Sequence, residues 1–92
     1  MNTTAKQLAE SVAIPKWAKN SFSLPQLAVL AVIRDSAYKA ADGTCRFTVK
    51  EIARRAGVST DTASKALVVA LAVGVVERIR NGIVNRHIHY QL

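Results

Sequence analysis

A mainly α-helical domain closed by a small β-hairpin is the fold class that this sequence predicts. Three observations carry the prediction. Capping signals at Ser23-Leu-Pro-Gln26 and Thr48-Val-Lys-Glu51 each open a run whose apolar residues recur at helical spacing. Gly57 and Gly74 bracket a further helical run, where positive backbone φ would end one helix and then the next. After Gly74 the period changes, and Asn81-Gly82 separates the β-rich runs "VVERIR" and "IVNRHIHYQL", the strongest short hairpin signal.

Taken in order, residues 1–22 read as an N-terminal helix and connector. Thr4-Ala-Lys-Gln7 offers a capping box, Leu8 and Val12 pair on one face, and Pro15 stops the helix. "KWAKNSFS" then carries Trp17 and Phe22. Leu8, Val12, Ile14, Trp17 and Phe22 exceed what docking one short helix needs, which marks this segment for homodimerisation. Residues 23–92 form the main domain. Pro25 sits in the first turn of its opening helix, where a missing N–H costs little. Leu27, Leu30, Ala31, Arg34 and Tyr38 follow at helical spacing, Val29, Val32 and Ile33 widen the apolar face, and Gly43 supplies a left-handed C-cap. Thr44–Phe47 is a short strand. A helix capped by Thr48 runs to Gly57, and the next, capped by Ser59, runs to about Val73.

The chain of 92 residues makes one small domain. Half of it is hydrophobic but only 5% is aromatic, so Ala, Val, Leu and Ile must build the core. The net charge of +7 points to a polyanionic partner. That charge is uneven. Residues 1–43 hold five basic and three acidic side chains, and residues 44–92 hold eight and three. Cys45 is the only cysteine, which excludes an intramolecular disulfide and a cysteine-cluster metal site. The longest apolar run, Ala66–Val76, is too short to span a bilayer, and Glu10 interrupts the N-terminal apolar pattern, so a soluble cytoplasmic protein is expected. A membrane-surface role would need a basic amphipathic helix with bulky anchors, of which the N-terminus has only a weak version. No phosphate-cradling glycine loop, carboxylate pair or nucleophile motif is present, so no catalytic residue and no cofactor are expected. His87 and His89 share a strand face, but no further ligand stands near them, so no metal is expected either. Nothing marks a small-molecule effector site.

The segment from Thr48 to Gly74 has the spacing of two helices packed around a tight turn. Ile52 and Ala56 point inward, Ala53 admits the next backbone, and Gly57 provides the positive φ. Val58 fills the gap beneath the turn, and Ala63, Ala66 and Leu67 form the second helix's inner face. With the hairpin, the order is that of a winged helix-turn-helix.

"FTVKEIARRAGVSTDTASKALVVALAVGVVER" resembles bacterial and phage winged helix-turn-helix proteins, and "LPQLAVLAVIRDSAYKAADGTCRF" is similar to the first helix and strand of the replication-protein type found on phages and plasmids. The resemblance covers Leu24 to Leu92 and departs at Val68 and Val69, which are more apolar than a solvated helix face and so point to an extra contact, with the N-terminal helix or with a second subunit. It implies double-stranded DNA as partner, with the second helix of the motif in the major groove. Ser59, Thr60, Thr62, Ser64 and Lys65 are then the candidate base contacts, and Asp61 could accept from cytosine. Ser59 and Asp61 equally suit capping. Thr48, Lys50, Arg54 and Arg55 are positioned for backbone phosphates. In the hairpin, Arg78, Arg80, Asn81, Asn85, Arg86 and His87 suit a minor groove or its flanking phosphates. The expected role is transcriptional regulation, with plasmid or phage replication, partition or transfer as the alternative. A winged helix that binds protein would be expected to carry an acidic or apolar wing instead.

Overall fold

The computed structural model describes residues 5–80 and 82–90. It is α-rich, with a three-stranded antiparallel sheet and a separate pair of two-residue strands. The elements are α1 (Ala5–Glu10), β1 (Val12–Ala13), α2 (Lys16–Lys19), α3 (Leu24–Lys39), β2 (Thr44–Cys45), α4 (Val49–Ala56), α5 (Thr60–Val73), β3 (Val76–Ile79), β4 (Gly82–Asn85) and β5 (His89–Tyr90). The three-stranded sheet has the order β2-β4-β3, and β1 pairs with β5.

The caps explain where the helices begin. At α3 the full capping box forms: Ser23 Oγ accepts from the Gln26 N–H, and Gln26 Oε1 accepts from the Ser23 N–H. Thr48 caps α4 and Ser59 caps α5 in the same way, each hydroxyl accepting an N–H three residues on. Gly57 and Gly74, both left-handed, end α4 and α5.

The core is built largely from alanine. Ala28, Ala31, Ala37, Ala53, Ala56, Ala63, Ala66 and Ala70 are all buried, and only a few larger side chains, among them Leu30, Ile33, Ile52 and Val75, are fully enclosed. α3 runs through the centre, with α1 on one flank, α4 and α5 on another and the sheet on a third. That position explains its broad apolar surface.

Four details differ from the sequence reading. α1 ends at Glu10, well before Pro15, and Val12 lies in a strand that pairs with β5 rather than on the helix beside Leu8. The sequence holds no cue for a pairing of segments nearly eighty residues apart. α3 ends at an extended Ala40; Gly43 is left-handed but serves the turn into β2, its N–H donating to the Ala40 carbonyl. The connector contains the single-turn helix α2. The second β-run is not one strand: Asn85 turns the chain, its Oδ1 accepting from the Ile88 N–H and its Nδ2 donating to the Ile88 carbonyl. His87 and His89 therefore do not share a strand. Thr4 of the first expected capping box lies outside the described residues.

Arg34, read as part of an apolar helix face, is buried and satisfied. Its guanidinium donates to Asp35 Oδ1 from Nε (2.9 Å) and Nη2 (2.7 Å), and from Nη1 to the Ser11 carbonyl (2.5 Å), tying α3 to the turn after α1. No single helix among the described residues is long and apolar enough to cross a membrane.

Candidate nucleic-acid interface

α4 and α5 are joined by Gly57, Val58 and Ser59, and the helix direction turns by 108° between them. Val58 donates its N–H to the Ala53 carbonyl and packs its side chain against the core, so the turn is held from beneath. This geometry fixes the outward face of α5. Thr60, Asp61, Ser64, Lys65, Val68 and Ala72 are exposed, while Ala63, Ala66, Leu67 and Ala70 are buried.

Those outward residues are not equally available. Ser59 Oγ accepts from the Thr62 N–H (3.1 Å) and donates to Thr62 Oγ1 (2.9 Å), so its hydroxyl is committed to the cap. Thr62 is half-buried beside it. Lys65 Nζ turns back one helical turn to Asp61, at 3.0 Å. Among the described residues, Thr60 and Ser64 form no side-chain hydrogen bond and present their hydroxyls to solvent.

On α4 the arginines are engaged. Glu51, expected to complete the Thr48 capping box, instead accepts from Arg54 through Nε (3.0 Å) and Nη2 (2.6 Å), and from Arg55 through Nε (2.9 Å). The hydrogen bonds from Arg54, with help from Arg55, lower the Glu51 pKa to about 2, and Arg54 is raised in turn. The Arg55 guanidinium carbon also lies 4.2 Å from the centre of the Phe47 ring. The trio thus presents one net positive charge. Lys50 is exposed and makes no ion pair among the described residues. The Thr48 hydroxyl accepts as a cap but keeps its own proton to donate outward.

The hairpin is registered by Val76 opposite Asn85 and Ile79 opposite Gly82. Gly82 is required there, because a Cβ would collide with the Cys45 carbonyl oxygen and lie 2.6 Å from Thr44 Cγ2 on the neighbouring strand. Arg78 and Arg80 lie toward the tip, exposed and without an acidic partner among the described residues. Arg86 lies at the base: Val75 O accepts from the Arg86 N–H, and the guanidinium pairs with Glu77 at 2.8 Å. His87, beside it, sets its ring edge-on to Trp17 at 6.1 Å. Asn85 spends its side chain on the turn to Ile88, and Asn81 lies outside the described residues.

Of the sequence-expected residues, then, Thr60, Ser64 and Lys65 share one face of α5, with Lys50 on the preceding helix and Arg78 and Arg80 on the following hairpin. Ser59 is committed as a cap, Arg54 and Arg55 to Glu51, and Arg86 to Glu77. The Glu51 contacts were legible in the spacing, three and four residues apart on one helix. The Glu77–Arg86 pair was not, because it joins β3 to the residue that follows β4. No group of three or more His, Cys, Asp or Glu residues is placed to hold a metal ion among the described residues.

Comparison of the chain with family models, curated proteins and solved structures returns no match.

Proposed function

We propose that this protein binds double-stranded DNA sequence-specifically as a winged helix-turn-helix. In this reading α5 enters the major groove and the β3–β4 hairpin lies along the flanking backbone or minor groove. One observation carries the reading: two helices at 108° across a three-residue turn lead directly into a hairpin whose outer arginines, Arg78 and Arg80, have no acidic partner among the described residues. That angle falls within the range of about 90–120° typical of helix-turn-helix motifs. The sheet order β2-β4-β3 further supports it, since the strand before α4 then anchors the hairpin to the helices.

Short side chains on α5 allow its backbone close to the base edges, and the hydroxyls of Thr60 and Ser64 can donate or accept there. Affinity comes from Lys50, Arg78 and Arg80 at phosphates and is salt-dependent. The biological role in this proposal is transcriptional regulation. Homodimerisation through the N-terminal segment would rest on Trp17, whose side chain is exposed. Val12 and Phe22 are buried in the chain's own core, with Leu8 and Ile14 packed against it.

Selection from a pool of random duplexes tests the proposal. An enriched motif with steep salt dependence supports it; no enrichment and no duplex binding at about 50 mM salt overturns it. A palindromic motif would fit a dimeric regulator, whereas direct repeats would move the role to replication or partition.

A further inference from the structure

We infer that Val68 reads the 5-methyl group of a thymine in the major groove, an assignment that rests on the duplex-binding proposal above. Val68 is 67% exposed, although it sits on a helix whose other large apolar residues are at least partly buried. It lies seven residues beyond Asp61, about two helical turns, so both fall on nearly the same line of the α5 surface. Ser64 and Lys65 stand between them on that face.

Two groups that would have explained an apolar residue here are engaged elsewhere. The aliphatic stem of Lys65 is drawn toward the N-terminus of α5 by the 3.0 Å contact with Asp61, away from Val68. The N-terminal helix α1 packs against α3. Val68 therefore presents its two methyl groups openly in the middle of a polar face.

Charge complementarity narrows the occupant. The elements on either side of α5 in sequence carry the cations Lys50, Arg78 and Arg80, which form no ion pair among the described residues and together favour a polyanion. On the edges of a DNA duplex, the thymine methyl is the apolar group in the major groove; the other features are hydrogen-bond donors and acceptors. A valine in a helix is held in essentially one rotamer, so its methyls meet that group with little entropy lost. Val68 is thus a specificity residue that adds preference for A·T pairs at the step it covers.

The experiment takes the duplex obtained by selection and replaces each thymine in turn with deoxyuridine, which lacks only the 5-methyl group. The wild-type protein should lose about fourfold in affinity at one or two positions, the effect of one buried methyl. Val68→Ala should bind the thymine and uracil duplexes equally at those positions. Val68→Thr, which keeps the β-branched shape but exchanges a methyl for a hydroxyl, should retain part of the discrimination. Unchanged thermal melting of both variants confirms that folding is intact. Wild-type indifference to uracil at every position, or full discrimination by Val68→Ala, would overturn the inference while leaving the duplex-binding proposal standing. Failure of the wild type to select any duplex would overturn both.

Discussion

α4 and the β3–β4 hairpin both carry clustered arginines, yet they hold them differently. On α4, Glu51 binds Arg54 and Arg55 together and keeps them in place. On the hairpin, Glu77 engages Arg86 at the base, while Arg78 and Arg80, toward the tip, have no acidic partner among the described residues. Counting basic residues would rank the two regions alike. Their pairing ranks them apart: in the proposed complex the outer hairpin arginines supply charge at once, whereas the α4 arginines must first exchange a carboxylate for a phosphate.

The largest expected effect comes from breaking the hairpin's attachment. Gly82→Ala should destabilise the fold by about 3 kcal/mol in urea denaturation, because its Cβ would meet the backbone of β2. Gly57→Ala, left-handed but with open space around its Cβ, should cost only about 1 kcal/mol. Equal losses would remove the steric distinction.

Removing the free charges comes next. Arg78→Ala with Arg80→Ala should weaken duplex binding by about tenfold to thirtyfold and lower the salt slope by about two. Arg86→Ala combined with Glu77→Ala, which removes a neutral ion pair and leaves no bare carboxylate, should cost no more than about twofold at the same salt. A larger loss there than on removal of Arg78 and Arg80 would reverse the ranking of tip and base.

Glu51→Gln probes the other side of the comparison. It should tighten non-specific duplex binding by about threefold, since two guanidinium groups no longer contend with a carboxylate. Weaker binding would mean that Glu51 aims the arginines rather than restraining them.

The smallest effect is in acid. The Glu51 carboxyl should titrate near 2 by NMR, with its midpoint moving upward in Arg54→Ala. Its folded pKa lies below the ordinary 4.5, so its contribution to stability is present above that value and is lost as pH falls through about 2. High salt should shrink the contribution, as the pair is exposed.

Local chemistry made much of this legible from sequence. Ser23, Thr48 and Ser59 announce helix starts because each hydroxyl serves an N–H only three residues away. Gly57 and Gly74 announce helix ends because few other residues adopt their φ. Long-range partners were not legible in the same way. Pairing of β1 with β5 joins opposite ends of the chain, and the burial of Arg34 depends on a carbonyl at Ser11 that only tertiary packing delivers. At the candidate site the residue types and faces were readable, but their engagement was not. Nothing at Ser59 or Arg86 alone says whether a side chain faces a ligand or a neighbour. Asn85 was the clearest instance, because its amide completes a turn of a kind that Asn can also leave open to solvent.

The strand order has a consequence for solubility. β3 lies at an edge of its sheet, so its outer backbone groups are open to pairing with another chain. Arg78 in β3 and Arg80 just beyond it place positive charge along that edge, and a second copy approaching edge-to-edge would bring like charges together. The same arginines proposed to meet phosphate therefore act as gatekeepers against aggregation. A variant stripped of both should self-associate more readily, and its concentration dependence belongs beside its affinity.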